Sequence, residues 1–84
     1  MNEKTLRALV EAGAIKRSRI VAQGSRFHIE FETPTATVTA STNRATIKQW
    51  GTIDAAARWL RGLGLGGTHL ELAKWTPEQK RLTV

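Results

Sequence analysis

The 84-residue sequence contains no cysteine, so disulfide bonds, cysteine nucleophiles and cysteine-based zinc sites are excluded. It also contains no long apolar run. The opening segment, "MNEKTLRALVEAG", begins with polar residues and its apolar residues are interrupted, which is not the pattern of a signal peptide or a membrane-spanning helix. We therefore expect a soluble, cytoplasmic protein that has no membrane partner.

Internal repeats and linker-like segments are also missing, and a chain of this length has room for one domain. Such a chain buries roughly 60–65% of the surface that its unfolded form exposes, so we expect a thin core. We predict a single α+β domain over residues 1–75. For residues 76–84 we predict a short C-terminal helix or a frayed tail, because "TPEQ" has the pattern of a capping box with proline at the first helical position.

Positive charge is abundant. Thirteen Lys and Arg residues oppose seven Asp and Glu residues, which gives a formal net charge of +6 and a sequence pI of about 10.9. An excess of this kind serves solubility alone or attracts a polyanion, most often a nucleic acid. Composition leaves both interpretations open.

Apolar periodicity predicts two helices. The first begins after the N-cap residue Asn2 and ends near Gly13, which suits the left-handed conformation of a helix end. The second begins after the N-cap residue Thr52. Its apolar residues form one stripe: Ile53, Ala56, Ala57, Leu60 and Leu63.

Alternating apolar and polar residues predict strands between and after the helices. The clearest is "RFHIEFE", residues 26–32, in which Phe27, Ile29 and Phe31 share one face. Further strands are expected over residues 16–22, 36–41, 46–50 and 68–75. The predicted fold class is α+β: a helix, an antiparallel meander of three to four strands, a second helix and a short strand, with the helices packed on one sheet face.

The stretch "LRGLGLGG", residues 60–67, contains four of the seven glycines. A phosphate-binding loop places its glycines between a strand and the start of a helix, whereas these glycines follow a helix. We therefore predict that Gly62 or Gly64 ends the second helix and that Gly66 and Gly67 turn the chain into the last strand.

Candidate catalytic and metal-binding groups are few. His28, Glu30 and Glu32 share one strand face, and His69 with Glu71 repeats the spacing. A His-x-Glu pair can in principle hold a metal, but ligands on one exposed strand usually form a solvated charged face. If the two strands were neighbours, their groups could converge. The serines have no nucleophile-elbow context. We predict no enzymatic activity, no cofactor, no metal and no small-molecule substrate.

The cations suggest a nucleic-acid surface on the sheet. We expect Arg17, Arg19 and Arg26 to contact phosphates from one sheet face, with Arg26 lying close to Arg17 or Arg19 across the hairpin. Glu30 and Glu32 share that face and would repel phosphate, so the bound nucleic acid should lie off the centre of the face, towards the arginines. The predicted nucleic-acid-binding residues are Arg17, Arg19, Arg26, Lys16, Arg44 and Lys48.

The three tryptophans differ in their surroundings. We expect Trp50 and Trp59 to complete the thin core. Trp75 ends an alternating strand beside Lys74, and we expect it to be partly exposed. An exposed indole near cations suits either base stacking or a protein contact.

Three resemblances follow from these patterns. The element order and the segment "WGTIDAAARWL" resemble double-stranded RNA-binding domains, although the lysine-rich helix start of that family is missing. The three strands followed by "GTIDAAARWLRGLG" resemble the arm-binding modules of phage-type integrases, which set a three-stranded sheet in the major groove. Over about three quarters of the chain, "LRALVEAGAIKRSRIVAQGSRFHIE" with "WGTIDAAARWLRGLGLG" is similar to ParC-family partition-associated proteins of plasmids and integrative elements.

The last resemblance implies a bacterial mobile-element setting. We therefore expect a small basic accessory protein of a plasmid or mobile element that binds nucleic acid, with duplex DNA favoured, through a cationic sheet face. The alternative is a module for protein interaction or homodimerisation that has no nucleic-acid role and uses a sheet edge or the Trp75 end.

Overall fold

The computed structural model describes residues 1–76, in which two helices lie on one face of a four-stranded sheet. In chain order, the elements are α1 (Glu3–Glu11), β1 (Arg17–Gln23), β2 (Arg26–Glu32), β3 (Thr37–Thr39), α2 (Ile53–Leu63) and β4 (His69–Glu71). The predicted α+β class and its order of elements are confirmed. The helix or tail predicted for residues 76–84 lies, apart from Thr76, outside the described residues.

The sheet has the order β3-β2-β1-β4. β1, β2 and β3 form the predicted antiparallel meander. A two-residue loop joins β1 to β2, and its first residue, Gly24, has a φ of 66°, which glycine adopts without steric cost. β4 joins the other edge of β1 in the parallel direction, because α2 carries the chain back across the sheet. The sheet is therefore mixed.

The core fills the space between the helices and the sheet. Phe27, Ile29 and Phe31 of β2 are buried, as their alternation predicted. The other buried apolar residues are Leu6, Ile20, Ala22, Ala40, Ala56, Leu60 and Leu63. Trp50 and Trp59 are half-buried against this core, with ring centroids 5.0 Å apart, which confirms their predicted place.

The helix ends follow the predicted caps. The side-chain oxygen of Asn2 accepts a hydrogen bond from the Thr5 N–H at 3.0 Å, and that of Thr52 accepts from the Ala55 N–H at 3.1 Å. α2 ends at Gly64, whose φ of 110° lies in the left-handed region. The glycine-rich stretch thus ends a helix. Within residues 1–76, neither helix has the length and apolar character of a membrane-spanning segment.

The strand predicted over residues 46–50 is wrong. Only isolated bridges occur there, between Ser41 and Ile47 and between Phe27 and Trp50. The chain turns back in residues 42–46, where the Thr42 N–H donates to the Thr46 carbonyl at 2.8 Å. This tight turn uses the backbone groups that a continuous strand would need for its ladder.

Two other predicted strands are too long. The strand expected over residues 36–41 is confined to β3, and the one expected over residues 68–75 is confined to β4. After β4 the chain makes a turn in which the Trp75 N–H donates to the Leu72 carbonyl at 3.0 Å. Trp75 then forms a separate parallel bridge with Gly24, which brings it to the loop between β1 and β2.

Candidate functional site

The helices leave one face of the sheet uncovered, and we call it the outer face. Among the described residues, this face carries three arginines and three glutamates: Arg17, Arg19, Arg26, Glu30, Glu32 and Glu71. The formal charges of these side chains cancel. The outer face is therefore not cationic overall, contrary to the expectation from the sequence.

Arg19 is held by two of these glutamates. Its guanidinium donates to Glu32 at 2.8 Å and to Glu30 at 3.0 Å, and its side chain is 24% exposed. Arg17 differs, because it is 72% exposed and its Nε lies 3.6 Å from a Glu32 oxygen. A phosphate at Arg19 would therefore meet a guanidinium that already donates hydrogen bonds to two carboxylates.

These contacts stabilise the charged forms of the side chains. The Arg19 guanidinium holds the pKa of Glu32 below its ordinary value of 4.5. His28, whose Nε2 lies 3.0 Å from a Glu30 oxygen, and then Arg19 hold the pKa of Glu30 below the same value. Hydrogen bonds to Glu32 and Glu30 in turn raise the pKa of Arg19. Both carboxylates are thus ionised at neutral pH and would repel a phosphate.

Arg26 lies apart from the other two outer-face arginines. It pairs in register with Gln23, at the opposite end of β1 from Arg17. Gln23 is six positions after Arg17 and four after Arg19, which corresponds to about 20 Å and about 13 Å along a strand. The expectation that Arg26 joins Arg17 or Arg19 is therefore wrong, because the short hairpin loop places Arg26 at the loop end.

The remaining predicted cations are dispersed. Lys16 precedes β1, and its backbone N–H donates to the Glu32 carbonyl at 2.7 Å. Arg44 is exposed in the turn over residues 42–46. The Nζ atom of Lys48 lies 5.5 Å from the ring centroid of Trp50, within the range of a cation–π interaction. The six predicted cations therefore do not form one patch.

A cleft of about 430 Å³ lies at the end of the sheet where the loop joins β1 to β2, and we call it the loop-end cleft. Three parts of the chain form it: the β1–β2 loop, the start of α2 and the segment after β4. The residues that line it are Ser25, Arg26, Phe27, Gly51, Thr52, Ile53 and Trp75. Its volume falls within the range of roughly 300–1,000 Å³ that is typical of small-ligand sites.

Backbone hydrogen bonds hold the three parts of the loop-end cleft together. Phe27 and Trp50 exchange two N–H···O bonds, of 2.9 and 2.8 Å, which fix the start of α2 against β2. The Gly24 N–H donates to the Lys74 carbonyl at 2.9 Å, and the Thr76 N–H donates to the Gly24 carbonyl at 2.9 Å. The position of Trp75 is therefore set by bonds on both sides of it.

Trp75 and Arg26 give the loop-end cleft its chemistry. The indole of Trp75 is 38% exposed and packs on Phe27, with ring centroids 6.2 Å apart. Within residues 1–76, the Arg26 side chain makes no ion pair, and the lining residues include no carboxylate. A planar aromatic surface and a guanidinium that makes no ion pair within residues 1–76 therefore open into one cleft.

Arg26 and Trp75 are each predicted from the sequence as candidate residues, but their proximity in one cleft is not. The Gly24–Trp75 bridge, formed 51 positions apart in the chain, leaves no local sequence pattern. The pairing of Arg19 with Glu30, in contrast, could have been predicted from the sequence. A two-residue hairpin loop that begins with Gly24 fixes the register of β1 against β2, and this register places Arg19 opposite Glu30.

The histidines do not converge on a common site. His28 lies 3.0 Å from Glu30 and His69 lies 3.2 Å from Glu71, in each case within one strand. β1 separates β2 from β4, so the two strands are not neighbours. In the part of the chain that the structure describes, no three potential ligands are grouped to hold a metal ion.

The chain matches no protein-family model, and no curated protein or solved structure matches it. The resemblances described from the sequence therefore stay predictions.

Proposed function

We propose that this protein binds nucleic acid and that the loop-end cleft receives one nucleotide of it. Arg26 binds a phosphate, and Trp75 stacks on the base. The observation that carries the proposal is the presence, in one cleft, of a guanidinium without an ion pair in residues 1–76 and an indole that is 38% exposed.

The charge distribution supports a polyanion as the ligand. The chain carries a formal charge of +6, so phosphates are attracted to it from a distance. At the outer face, Glu30 and Glu32 oppose close approach to Arg19. At the loop-end cleft, the positive end of the α2 dipole adds to the charge of Arg26, because Thr52 and Ile53 begin the helix and line the cleft.

Stacking on Trp75 requires a base whose face is free. Bases inside a duplex stack on their neighbours, whereas single strands and frayed ends expose base faces. The loop-end cleft therefore favours single-stranded nucleic acid over the duplex DNA expected from the sequence. The sequence resemblance to partition-associated proteins supports a setting in the bacterial cytoplasm, in the maintenance of a plasmid or other mobile element.

The test is fluorescence anisotropy with a labelled single-stranded oligonucleotide and the matching duplex, measured over a series of salt concentrations. We expect the single strand to bind more tightly and its affinity to fall as salt rises. Arg26→Gln should lower the log–log salt slope by about 0.7, the value for one phosphate contact on a single strand. Trp75→Leu should cost about 1–3 kcal/mol, at least about fivefold in affinity, with little change in slope.

Arg58→Gln is the matched control for Arg26→Gln. Arg58 is exposed on α2 and pairs with Asp54 at 2.7 Å, so this change removes the same charge away from the loop-end cleft. Equal effects of the two substitutions would contradict a role for the cleft. Duplex binding that Arg17→Gln abolishes and Arg26→Gln leaves intact would assign the activity to the outer face instead.

A further inference from the structure

β4 is an edge strand whose free side is unpaired in the part of the chain that the structure describes. It pairs with β1 over three residues, and all three are exposed. The free side of such a strand presents backbone N–H and C=O groups that can pair with a further strand. No proline and no bulge interrupts it.

The apolar residues at this edge are incompletely covered. Leu70 lies opposite Ile20, a core residue, and therefore shares the sheet face on which the helices pack. Leu70 is nevertheless 38% exposed, and Leu72 is 41% exposed. A hollow of about 250 Å³ lies between α2 and the segment that leads into β4, and Leu60 and Leu65 line part of it. Apolar surface is therefore incompletely covered both at β4 and at the segment before it.

The opposite edge of the sheet has a different character. β3 presents Thr37 and Thr39, with Val38 half-buried between them. Part of this edge is covered by Met1, whose amino group donates to the Thr39 carbonyl at 2.9 Å and whose carbonyl accepts from the Ser41 N–H at 2.8 Å. Exposed apolar side chains occur here as well, at Met1 and Ile47, but they belong to segments that bond to β3 or to the residues that follow it. The free side of β4, in contrast, has no backbone partner within residues 1–76.

The sequence of β4 is complementary to itself in one antiparallel register. With Leu70 on a two-fold axis, Leu70 faces its own copy and His69 faces Glu71 of the other chain, on both sides of the axis. His69 and Glu71 are exposed on the outer face, and within one chain Nε2 of His69 lies 3.2 Å from a carboxylate oxygen of Glu71. In this register, the two imidazoles and two carboxylates of the two chains would form one cluster. An imidazole N–H can donate a hydrogen bond to a directly opposed carboxylate, and cross-strand pairs of this kind stabilise a strand pair.

Neighbouring registers lack this match. If the two-fold axis passed through Glu71, the two Glu71 carboxylates would face each other. If it passed through His69, the two imidazoles would face each other and the two Leu70 side chains would be separated. If it passed between two residues, Leu70 of one chain would lie on the same side of the joined sheet as the outer face of the other chain. The side chains of β4 therefore select the register centred on Leu70.

We propose that two copies of this chain form a symmetric dimer through antiparallel pairing of their β4 strands about Leu70, which joins the two sheets into one sheet of eight strands. The second copy covers Leu70 and Leu72 and satisfies the backbone groups of the free edge. The dimer forms without nucleic acid, so the proposal is independent of the function of the loop-end cleft.

Sedimentation velocity of the full chain without nucleic acid, from low micromolar to millimolar concentration, tests the dimer. We expect a monomer–dimer equilibrium in the wild type. Leu70→Glu should give a monomer at every concentration, with an unchanged circular dichroism spectrum, because Leu70 lies outside the buried core. A wild type that stays monomeric at millimolar concentration would overturn the proposal.

Charge exchange at the two outer positions tests the register. His69→Glu opposes two carboxylates across the axis and should weaken the dimer at least tenfold. The double variant His69→Glu with Glu71→Lys places a carboxylate opposite an ammonium group on both sides of the axis and should recover most of the affinity. Failure of the double variant to recover would exclude this register.

Cross-linking gives a second readout, because the chain has no cysteine of its own. Leu70→Cys should form a covalent dimer under mild oxidation, since directly opposed residues of antiparallel strands have Cα atoms about 4.5–5.5 Å apart, within reach of a disulfide. Thr37→Cys, on the exposed β3 edge, is the control and should remain a monomer. Cross-linking of Thr37→Cys in preference to Leu70→Cys would place the interface on the wrong edge for this proposal.

Discussion

At the scale of single residues, Arg17 and Arg19 show how pairing changes what a cation can do. They are two positions apart on one strand and point to the same face. Arg19 binds both Glu30 and Glu32, whereas Arg17 remains 72% exposed. The sequence motif "KRSR" suggests one basic cluster, but the cross-strand neighbours decide how much of its charge is available to a ligand.

Gly64 carries a conformational requirement that can be tested by substitution. Its φ of 110° is unfavourable for any residue with a Cβ atom, and a Cβ placed there would lie 3.3 Å from Cγ1 of Val10. Gly64→Ala should therefore lower the free energy of unfolding by about 1–2 kcal/mol, measured by urea denaturation.

Gly62→Ala is the matched control for Gly64→Ala. Gly62 lies within α2, its φ is not positive, and a Cβ there would meet no atom within 4 Å. This substitution should raise the free energy of unfolding by about 0.5–1 kcal/mol, because alanine loses less backbone entropy in a helix. Equal effects of the two alanines would show that Gly64 does not need its left-handed conformation.

At the scale of elements, alternation located the strands that are long and buried on one side. It failed where an extended backbone had no continuous partner: Trp50 and Trp75 each make one isolated bridge, next to a turn. The parallel direction of β4 was also unpredictable from local pattern, since it depends on the edge of the sheet to which α2 returns the chain. The loop-end cleft was unpredictable for the same reason, because the residues that line it come from three segments that are distant in the sequence.

β4 is held to the domain by fewer interactions than β1 and β2 are. Ser18, buried in β1, has its hydroxyl oxygen 2.9 Å from that of Thr68 and 3.3 Å from the Gly67 carbonyl, and so ties the segment before β4 to the sheet. Ser18→Ala should change the global free energy of unfolding by at most about 1 kcal/mol. It should accelerate hydrogen exchange of the backbone amides in β4 selectively.

Hydrogen exchange followed by mass spectrometry at low micromolar concentration measures this effect on peptides from β4. Ser25→Ala is the control, because Ser25 is exposed in the β1–β2 loop and makes no hydrogen bond with β4 in residues 1–76. A uniform increase of exchange across β1, β2 and β4 would show that β4 does not open as a separate unit.

At the scale of the whole molecule, the ten buried apolar residues found within residues 1–76 form a thin core, and the positive charge of the chain opposes compaction. The glutamates counter this charge in pairs: Glu3 binds Arg7 at 2.8 Å, and Glu30 and Glu32 bind Arg19. When these carboxylates are protonated, Arg7, Arg17 and Arg19 lose these partners, and less negative charge opposes the positive charge of the chain. Stability should therefore depend on pH in the acidic range.

The direction of this dependence follows from the pKa values. Hydrogen bonds from Arg7, then from Trp59, lower the pKa of Glu3 in the folded protein, and the pKa values of Glu30 and Glu32 are lowered as described above. Below the ordinary value of 4.5, the unfolded chain binds more protons at these positions than the folded chain does. The stabilising contribution is fully present above that pH and is lost as the pH falls through the lowered pKa values.

Thermal unfolding followed by circular dichroism, from about pH 7 to about pH 3, measures this loss. The midpoint temperature of the wild type should fall steeply below the ordinary glutamate range. The double variant Glu30→Gln with Glu32→Gln should unfold at a lower temperature at neutral pH and approach the wild type in acid, because the contacts it lacks are the ones that acid removes. Glu11→Gln, a change at an exposed carboxylate that makes no ion pair in residues 1–76, should follow the wild-type curve.

The double variant could instead keep the full acid dependence of the wild type. In that case the outer-face ion pairs would not be the source of the acid dependence, and the protonation of other carboxylates against the remaining positive charge would account for it.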